Sequence, residues 1–446
     1  MIKKIMNVVM LDIYPKKNYR ISKDQNGGFG TANNYGDNIF LKLLNFYIKK
    51  NIDYPPLFAV QAMAELKKNN FNVSYSRKPE VSDYDLYILP SSIVTHESEI
   101  KVIKSLSLKG KKIFSIGPFA TSRPYLYNAV GAKVISGESE FFFKDFQIND
   151  LNKYKNYHDV IFFKHKYNLD DLSYPSWDLI MKEVNPVMGL LGKGLTIPIS
   201  SARGCPYSCS YYCTYPLQQG RKLRLRNPNY VVSEMLYWYE KFNVKNFIFR
   251  DPVFSLDKKH AHQLLSKIIE TKIKFNICVE THLKDIDQKT ISIFKASGVK
   301  LVYVGIESGD EKVLLDSKRT TIQFDSQIDK VKEMEKNGIK VKCMYILAQP
   351  SDNEITSKKT IKYSQKIPST FAQFSIFTPY PGTPVYEEFK DKIIVDRYES
   401  YDQWQLVFDH DNLSRKRVRS LLNLAYLSYY LKPAWILRFL KGLYFK

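Results

Sequence analysis

The sequence predicts an α/β chain: a Rossmann-like parallel sheet, then a partial (β/α)6 barrel, then a helical C-terminal tail. Three observations point there. From residue 1 to about 145, short apolar runs alternate with helical patterns, and such alternation indicates βαβ units on a parallel sheet. From 194 a second alternation gives six βα repeats, the pattern of a parallel barrel or most of one. From Arg415 to Lys446 there are eight basic residues and no acidic one.

The elements follow in order. KIMNVVMLDI is a buried strand candidate, and PPLFAVQAMAELKKNN has apolar residues at helical spacing. VSDYDLYILPS reads as a strand, SEIKVIKSLSLKG as a helix and KKIFSIGP as a strand. RPYLYNAVGA suggests a short helix before the strand AKVISGESE. The loop QNGGFGTANNYGDN (25–38) lacks a phosphate-loop frame and reads as a flexible binding loop. Residues 146–190 form a connector. The barrel strands are GLTIPISSARG, KNFIFRDPVF, FNICVETHL, KLVYVGIESG, VKCMYILAQP and FAQFSIFTPYPG, with helical patterns between them. The expected division is 1–145, 146–190, 191–390 for the barrel, and 391–446 for a basic amphipathic helical region.

Composition narrows the class. With 446 residues, 44% apolar and 25% charged, the chain is an ordinary globular protein. No apolar run reaches transmembrane length, and MIKKIMNVVMLDIYP reads as a first strand and not a signal peptide. Five unevenly placed cysteines argue against a disulfide framework, so a cytoplasmic location is expected. The net charge of +22 is spread along most of the chain. It fits a lysine-rich composition as well as it fits anionic partners.

Chemistry concentrates in SARGCPYSCSYYCTYPLQQG (201–220). Cys205, Cys209 and Cys213 fall within nine residues, on the loop after the first barrel strand, where barrel chemistry sits. Three thiolates on one loop suit a soft metal centre with an open fourth position. Zinc usually takes four ligands in close pairs. Cys278 and Cys343 stand alone on apolar strands and read as buried structural thiols.

These residues resemble the cluster loop of radical S-adenosylmethionine (SAM) enzymes. The chain from about 50 to 390 resembles their subgroup with an N-terminal cobalamin-binding-like domain. Arg203-Gly204-Cys205, Asp251 and Phe254 in FRDPVFSLD, Glu280 in CVETHL, VGIESG (304–309) and YPGTPVY (380–386) carry the likeness. YPPLFAVQAMAEL and GESE (137–140) add to it in the first domain. The resemblance implies a [4Fe–4S] cluster on Cys205, Cys209 and Cys213, with SAM chelating the fourth iron. One electron from the cluster would then cleave SAM to a 5′-deoxyadenosyl radical. It also implies cosubstrate contacts from Tyr212 against the adenine, Asp251 at the methionine end, and Glu280, Glu307 and Ser308, with Gly309 allowing close backbone approach. An electron donor such as flavodoxin or ferredoxin follows.

Two departures stand out. The family's second cysteine gap is two residues, and here it is Ser210-Tyr211-Tyr212. His282 stands where arginine is common in the Glu-x-Arg segment. The first domain has no Asp-x-His-x-x-Gly segment; its histidine, His96, reads as a solvated loop side chain. Cobalamin-dependent methyl transfer and another radical reaction therefore both remain open, on a small-molecule, lipid or peptide substrate. The competing class is a basic RNA- or membrane-binding protein with a zinc or degenerate cluster site. The tyrosines and arginines of CSYYCTYPLQQGRKLRLR would stack bases there, although nucleic acid is not the expected partner. In the tail, Val418, Leu421, Leu422, Ala425 and Tyr429 share a helical face. A second short helix would carry Trp435, Ile436, Phe439, Leu440 and Leu443. This pair fits either an anionic membrane surface or packing on the barrel.

Overall fold

The computed structural model describes residues 5–15, 19–51, 55–79, 83–147, 150, 160–164, 167–181, 191, 194–433 and 435–438. Its first sheet uses β1 (Asn7–Leu11), while β2 (Arg20–Ser22) and β3 (Thr31–Asn33) form a separate antiparallel hairpin. The sheet continues with β4 (Asn72–Ser76), β5 (Leu86–Pro90), β6 (Ile113–Ile116), β7 (Lys133–Ile135) and β8 (Val160–Ile161). All six strands are parallel, in the order β4-β1-β5-β6-β7-β8. Two of these strands stand outside the sequence reading. FNVSYS supplies β4, and β8 falls within the stretch read as connector. Burial runs along every residue of β5 and β6, as expected for a parallel sheet covered on both faces.

The second sheet begins with β9 (Thr196–Ile199), from which a short ribbon departs: β10 (Ala202–Arg203) pairs antiparallel with β11 (Arg224–Leu225). Then come β12 (Asn246–Phe249), β13 (Asn276–Thr281), β14 (Val299–Glu307), β15 (Lys340–Leu347) and β16 (Phe371–Ile376). The order β16-β15-β14-β13-β12-β9 is parallel throughout and leaves β9 and β16 as edges, so the barrel is partial. On β15 every second residue is buried against the outer helices, and the residues between face the interior. Asn227, Asp257, Asp287, Asp310 and Asn353 accept backbone N–H bonds at helix starts, so side-chain caps mark where strand loops give way to helices.

The tail helix Arg415–Tyr430 buries Val418, Leu421, Leu422, Ala425, Tyr426 and Tyr429. It lies along β16, where tyrosine hydroxyls replace a missing neighbour strand. Tyr426 bonds the N–H and C=O of Phe374 at 3.0 and 2.8 Å, and Tyr430 bonds those of Ala372 at 3.0 and 2.6 Å. Of the two readings of this face, packing on the barrel is the one seen for Arg415–Tyr430, because an unpaired sheet edge needs partners. Phe439, Leu440 and Leu443 lie outside the described residues, as do 151–159 and 182–190 of the connector. No helix among the described residues is long and apolar enough to cross a membrane.

Loop 25–38 departs from the sequence reading. It is not an open binding loop but a wedge between the two sheets, with Gly27 and Gly28 buried. Asn26 donates to the Tyr380 hydroxyl (2.8 Å), Thr214 donates to the Asn26 carbonyl (2.6 Å), and Gln403 donates to the Asn26 side chain (2.8 Å).

Candidate functional site

The cysteine loop leaves β9 through a narrow neck. Gly204 has φ +89°, and a Cβ there would stand 2.1 Å from the Lys222 carbonyl oxygen, so only glycine fits. The Cys205 N–H closes the neck on the Gly220 carbonyl at 3.2 Å. Beyond it, Ser208–Tyr211 form a short 3-10 turn. The Cys209 carbonyl accepts from both Tyr212 (3.1 Å) and Cys213 (3.0 Å). The three-residue gap is therefore one helical turn, and the extra residue is absorbed without loosening the loop. Cys205 and Cys209 are buried and Cys213 half-buried. Burial pushes the Cys213 thiol up, and the neighbouring Cys209 and Cys205 add to it.

The loop tyrosines pack inward. Tyr207 lies edge-on to His282 and under Lys284, Tyr211 donates to Glu388, and Tyr212 packs on Phe377. These contacts engage Tyr207, Tyr211 and Tyr212 within the protein.

Arg203, beside the neck, is tied to the first domain. Its guanidinium pairs with Glu138 at 2.8 Å and with Glu140, and Arg224 reaches Glu138 at 2.8 Å. The Arg-Gly-Cys and Gly-Glu-Ser-Glu segments, read separately in the sequence, are two halves of one buried ion-pair network. Burial raises Glu140, and Arg203 opposes that shift.

Opposite the loop stand Glu280 and Glu307. A register shift at the end of β14 places Glu307 at φ +67°, a strained position for a non-glycine residue. Arg319 meets it at 3.5 Å, donates to the Gly305 carbonyl (2.9 Å) and reaches within 3.9 Å of the Cys209 sulfur. A Cβ at Gly305 would fall 2.7 Å from the Arg319 guanidinium, so that glycine makes room for the pair. Burial raises Glu307 and Arg319 opposes it. Burial also moves Glu280 up to about 7, with Glu307 adding and Arg250 opposing. Among the described residues the buried Tyr212 hydroxyl, beside this pair, has no hydrogen-bond partner.

Four further residues singled out in the sequence have partners within the protein. Both Asp251 oxygens are held by Ser201, one through its N–H at 2.7 Å and the other through its hydroxyl. Asp251 therefore braces the strand end before the neck. The Ser308 hydroxyl turns to Thr360 at 3.1 Å, and Gly309 N–H bonds the same hydroxyl at 3.0 Å. These two residues fasten the loop to the helix Glu354–Lys366. His96 is buried among Phe119, Tyr127 and Tyr398, at 5.4, 5.5 and 5.6 Å between ring centres; it is no solvated loop residue.

Sequence reasoning missed Arg319. It sits in the polar stretch SKRT between two helices, and only the fold shows that it faces Glu307. His282, by contrast, turns to the Thr320 carbonyl at 2.8 Å, and burial moves it down to about 4. The neutral imidazole leaves the charge at this point to Arg319.

Among the described residues no three His, Cys, Asp or Glu side chains surround one point suited to a single metal ion. A [4Fe–4S] cluster makes no such demand, since each thiolate takes a different iron. The residues fit that group: three thiols on one sheltered turn, with a guanidinium beside the Cys209 sulfur.

Residues 199–363 match the model of the radical SAM superfamily. The chain carries a radical SAM domain over these residues, and such a domain implies a [4Fe–4S] cluster and SAM as cofactors. It has the architecture of members with a cobalamin-binding-like sheet ahead of the barrel. An uncharacterized methyltransferase of Pyrococcus horikoshii is 26% identical over 323 residues, covering 68% of each chain. Bacteriochlorophyllide d C-12(1)-methyltransferase of Chlorobaculum tepidum is 26% identical over 224 residues, covering 50% of this chain and 49% of that one. The radical SAM methyltransferase TsrM of Kitasatospora setae, solved with cobalamin and a [4Fe–4S] cluster, superposes with a TM-score of 0.63 at 13% identity. That match covers 87% of this chain and 78% of that chain, and it concerns the fold.

Proposed function

We propose that Cys205, Cys209 and Cys213 each hold one iron of the cluster, and that Glu307, Arg319, Glu280 and Tyr212 receive SAM beside it. The observation that carries this is the facing of the three-thiol turn by the Glu307–Arg319 pair. When bound, cluster and cosubstrate supply reductive cleavage of the sulfonium and hydrogen abstraction from an unactivated carbon. An external electron donor is needed. The protein's own share is positioning. Arg319 offers a charge-assisted bond to the cosubstrate carboxylate, and the two glutamates offer acceptors for its ammonium or ribose hydroxyls. The walls of the partial barrel exclude water. The domain limits near 145, 190 and 390 divide these tasks between sheet, barrel and tail.

The names of the relatives favour methyl transfer as the overall reaction on a small molecule. A cobalamin would enter where the first sheet meets the barrel. Loop 25–30 fills that interface, leaving a cavity of about 40 Å³ lined by Asp24, Gly28, Phe58, Glu138, Arg203 and Tyr215. Solved neighbours that carry cobalamin support its binding at this interface, and no step is routed through it. Anaerobic reconstitution with reductant and SAM, followed by product analysis, tests the proposal. 5′-Deoxyadenosine alone supports a radical reaction other than methylation, and S-adenosylhomocysteine with retained cobalamin supports methyl transfer. Zinc without sulfide in the purified protein rejects both.

A further inference from the structure

The helix Ile39–Asn51 presents an apolar strip to solvent. Its inner face holds buried Leu41 and Asn45, and the Asn45 side chain accepts from the Tyr35 N–H at 3.3 Å. On the outer face Ile39 is 73% exposed, Leu43 63% and Phe46 56%, with Phe40 at 39% beside them. Residues at i, i+4 and i+7 lie above one another on a helix, so Ile39, Leu43 and Phe46 make one continuous strip. Single exposed apolar residues need no explanation, but several large ones on one element mark a surface that meets something apolar.

The free charge beside this strip is positive. The helix, IFLKLLNFYIKKN, has three lysines and no acidic residue, and Lys42 is exposed. Its start is pinned to the tail helix. The Asp37 N–H donates to Asn423 (3.2 Å), and the Asp37 carboxylate takes Arg419 at 2.7 Å. From Arg415 onward the tail is equally free of acids. Arg415 and Lys416, both exposed, line a cavity of about 440 Å³ between that start and the tail helix. The acids of this cavity are engaged: Asp37 by Arg419, and Asp402 by the Trp404 N–H (2.8 Å) and Gln405 (3.2 Å). Among the described residues Lys42, Arg415 and Lys416 make no ion pair. An apolar strip edged by free cations is the composition of a helix lying in a membrane interface. A second copy seated on this face would set the same cations against one another across a two-fold axis, which disfavours self-association.

We propose that this face docks on an anionic lipid bilayer. Ile39, Leu43 and Phe46 enter the acyl boundary, while Lys42, Arg415 and Lys416 meet lipid phosphates. The contact is peripheral, and it stands on this surface alone, independent of the radical reading.

Flotation of the full chain with vesicles tests the docking, with equal parts phosphatidylglycerol and phosphatidylcholine set against phosphatidylcholine alone. The protein should float with the anionic vesicles, and added salt should weaken the binding. Ile39→Ser with Leu43→Ser should lower the affinity by about tenfold or more. Arg415→Gln with Lys416→Gln should lower it by about tenfold on anionic vesicles. Leu315→Ser, at an exposed leucine on another helix, should leave it unchanged. No flotation with either vesicle, or equal flotation with both, overturns the proposal, as does full binding by either double variant. A dimer in sedimentation that the Ile39→Ser, Leu43→Ser variant dissolves, without vesicle binding, assigns the strip to a second copy and overturns it too. If that variant does not fold, lysine acylation of the native chain decides. Anionic vesicles should protect Lys42 but not exposed Lys300 at the start of β14, and equal labelling of Lys42 with and without vesicles overturns the proposal.

Discussion

The two edges of the barrel sheet are closed by opposite means. At the β9 edge, buried charges do it: Arg203 with Glu138 and Glu140, and Arg250 with Asp24. At the β16 edge, neutral tyrosine hydroxyls of the tail helix take the free backbone groups of Ala372 and Phe374. A buried ion pair is costly to desolvate, and apolar residues can replace one without loss of stability. What it supplies is a fixed geometry. The charged edge carries the cysteine loop, whereas the neutral edge carries no chemistry. Positional precision and simple closure are therefore built from different interactions in the same sheet.

The largest expected effect lies in the loop that the charged edge holds. Cys213→Ala should abolish reductive cleavage of SAM, as should Cys205→Ala and Cys209→Ala. Cys278→Ala and Cys343→Ala should retain it, with some loss of stability. Full turnover by Cys213→Ala would show that the helical turn across the long gap does not present a cluster ligand.

Next comes the clamp. Arg203→Met leaves Glu138 and Glu140 buried beside Arg224 alone, which should cost about 3–5 kcal/mol in unfolding free energy. Restoring balance in Arg203→Met with Glu140→Gln should recover part of that. The comparison sharpens if the double variant regains stability but not iron content, since geometry is then what the charges provided. Recovery of both together would break it.

Glu307→Ala tests the strained carboxylate opposite the loop. Loss of a charge-assisted hydrogen bond should weaken SAM binding by about 1.5–3 kcal/mol, or one to two decades in affinity, with iron content retained. Unchanged affinity by calorimetry would remove Glu307 from the cosubstrate site.

Glu280 gives a pH signature. Its carboxyl sits at about 7 against an ordinary 4.5, so the native protein holds this proton more tightly than the unfolded chain. Its contribution to stability is fully present below pH 4.5 and is lost as pH rises towards 7. Glu280→Gln should flatten that slope and stabilise the protein above pH 7 by about 1–3 kcal/mol. A thermal-denaturation series with the same slope in both proteins would place the charge elsewhere.

The cysteine triplet and the six barrel strands were legible in the sequence because both are local: a spacing within one loop, and periodicity within one strand. Glu280 and Glu307 followed from alternation near strand ends. Arg319 was not legible, since an arginine in a polar turn carries no mark of the interior it faces. Asp251 and Ser308 were placed in the right segments, but their protein partners Ser201 and Thr360 were not legible. A motif locates a residue along the chain, while rotation about the strand end decides which side chains it meets. The wedge of loop 25–38 depends on contacts with residues 214, 380 and 403, a separation that no local pattern encodes.

The smallest expected effect is at the neutral edge. Tyr426→Phe removes a hydroxyl that both accepts from the Phe374 N–H and donates to its C=O. Leaving those buried groups unpaired should cost about 1–3 kcal/mol. The ring remains to pack against Tyr35, Trp404 and Phe374, so no cavity term is added. The denaturant midpoint should fall at constant slope, because the surface exposed on unfolding is unchanged. Iron content and SAM affinity should stay at wild-type values, since among the described residues no charged contact of the cysteine loop reaches this edge. If cluster occupancy instead fell in step with stability, the two edges would be one cooperative support, and the division of labour between charge and neutral hydrogen bonds would fail.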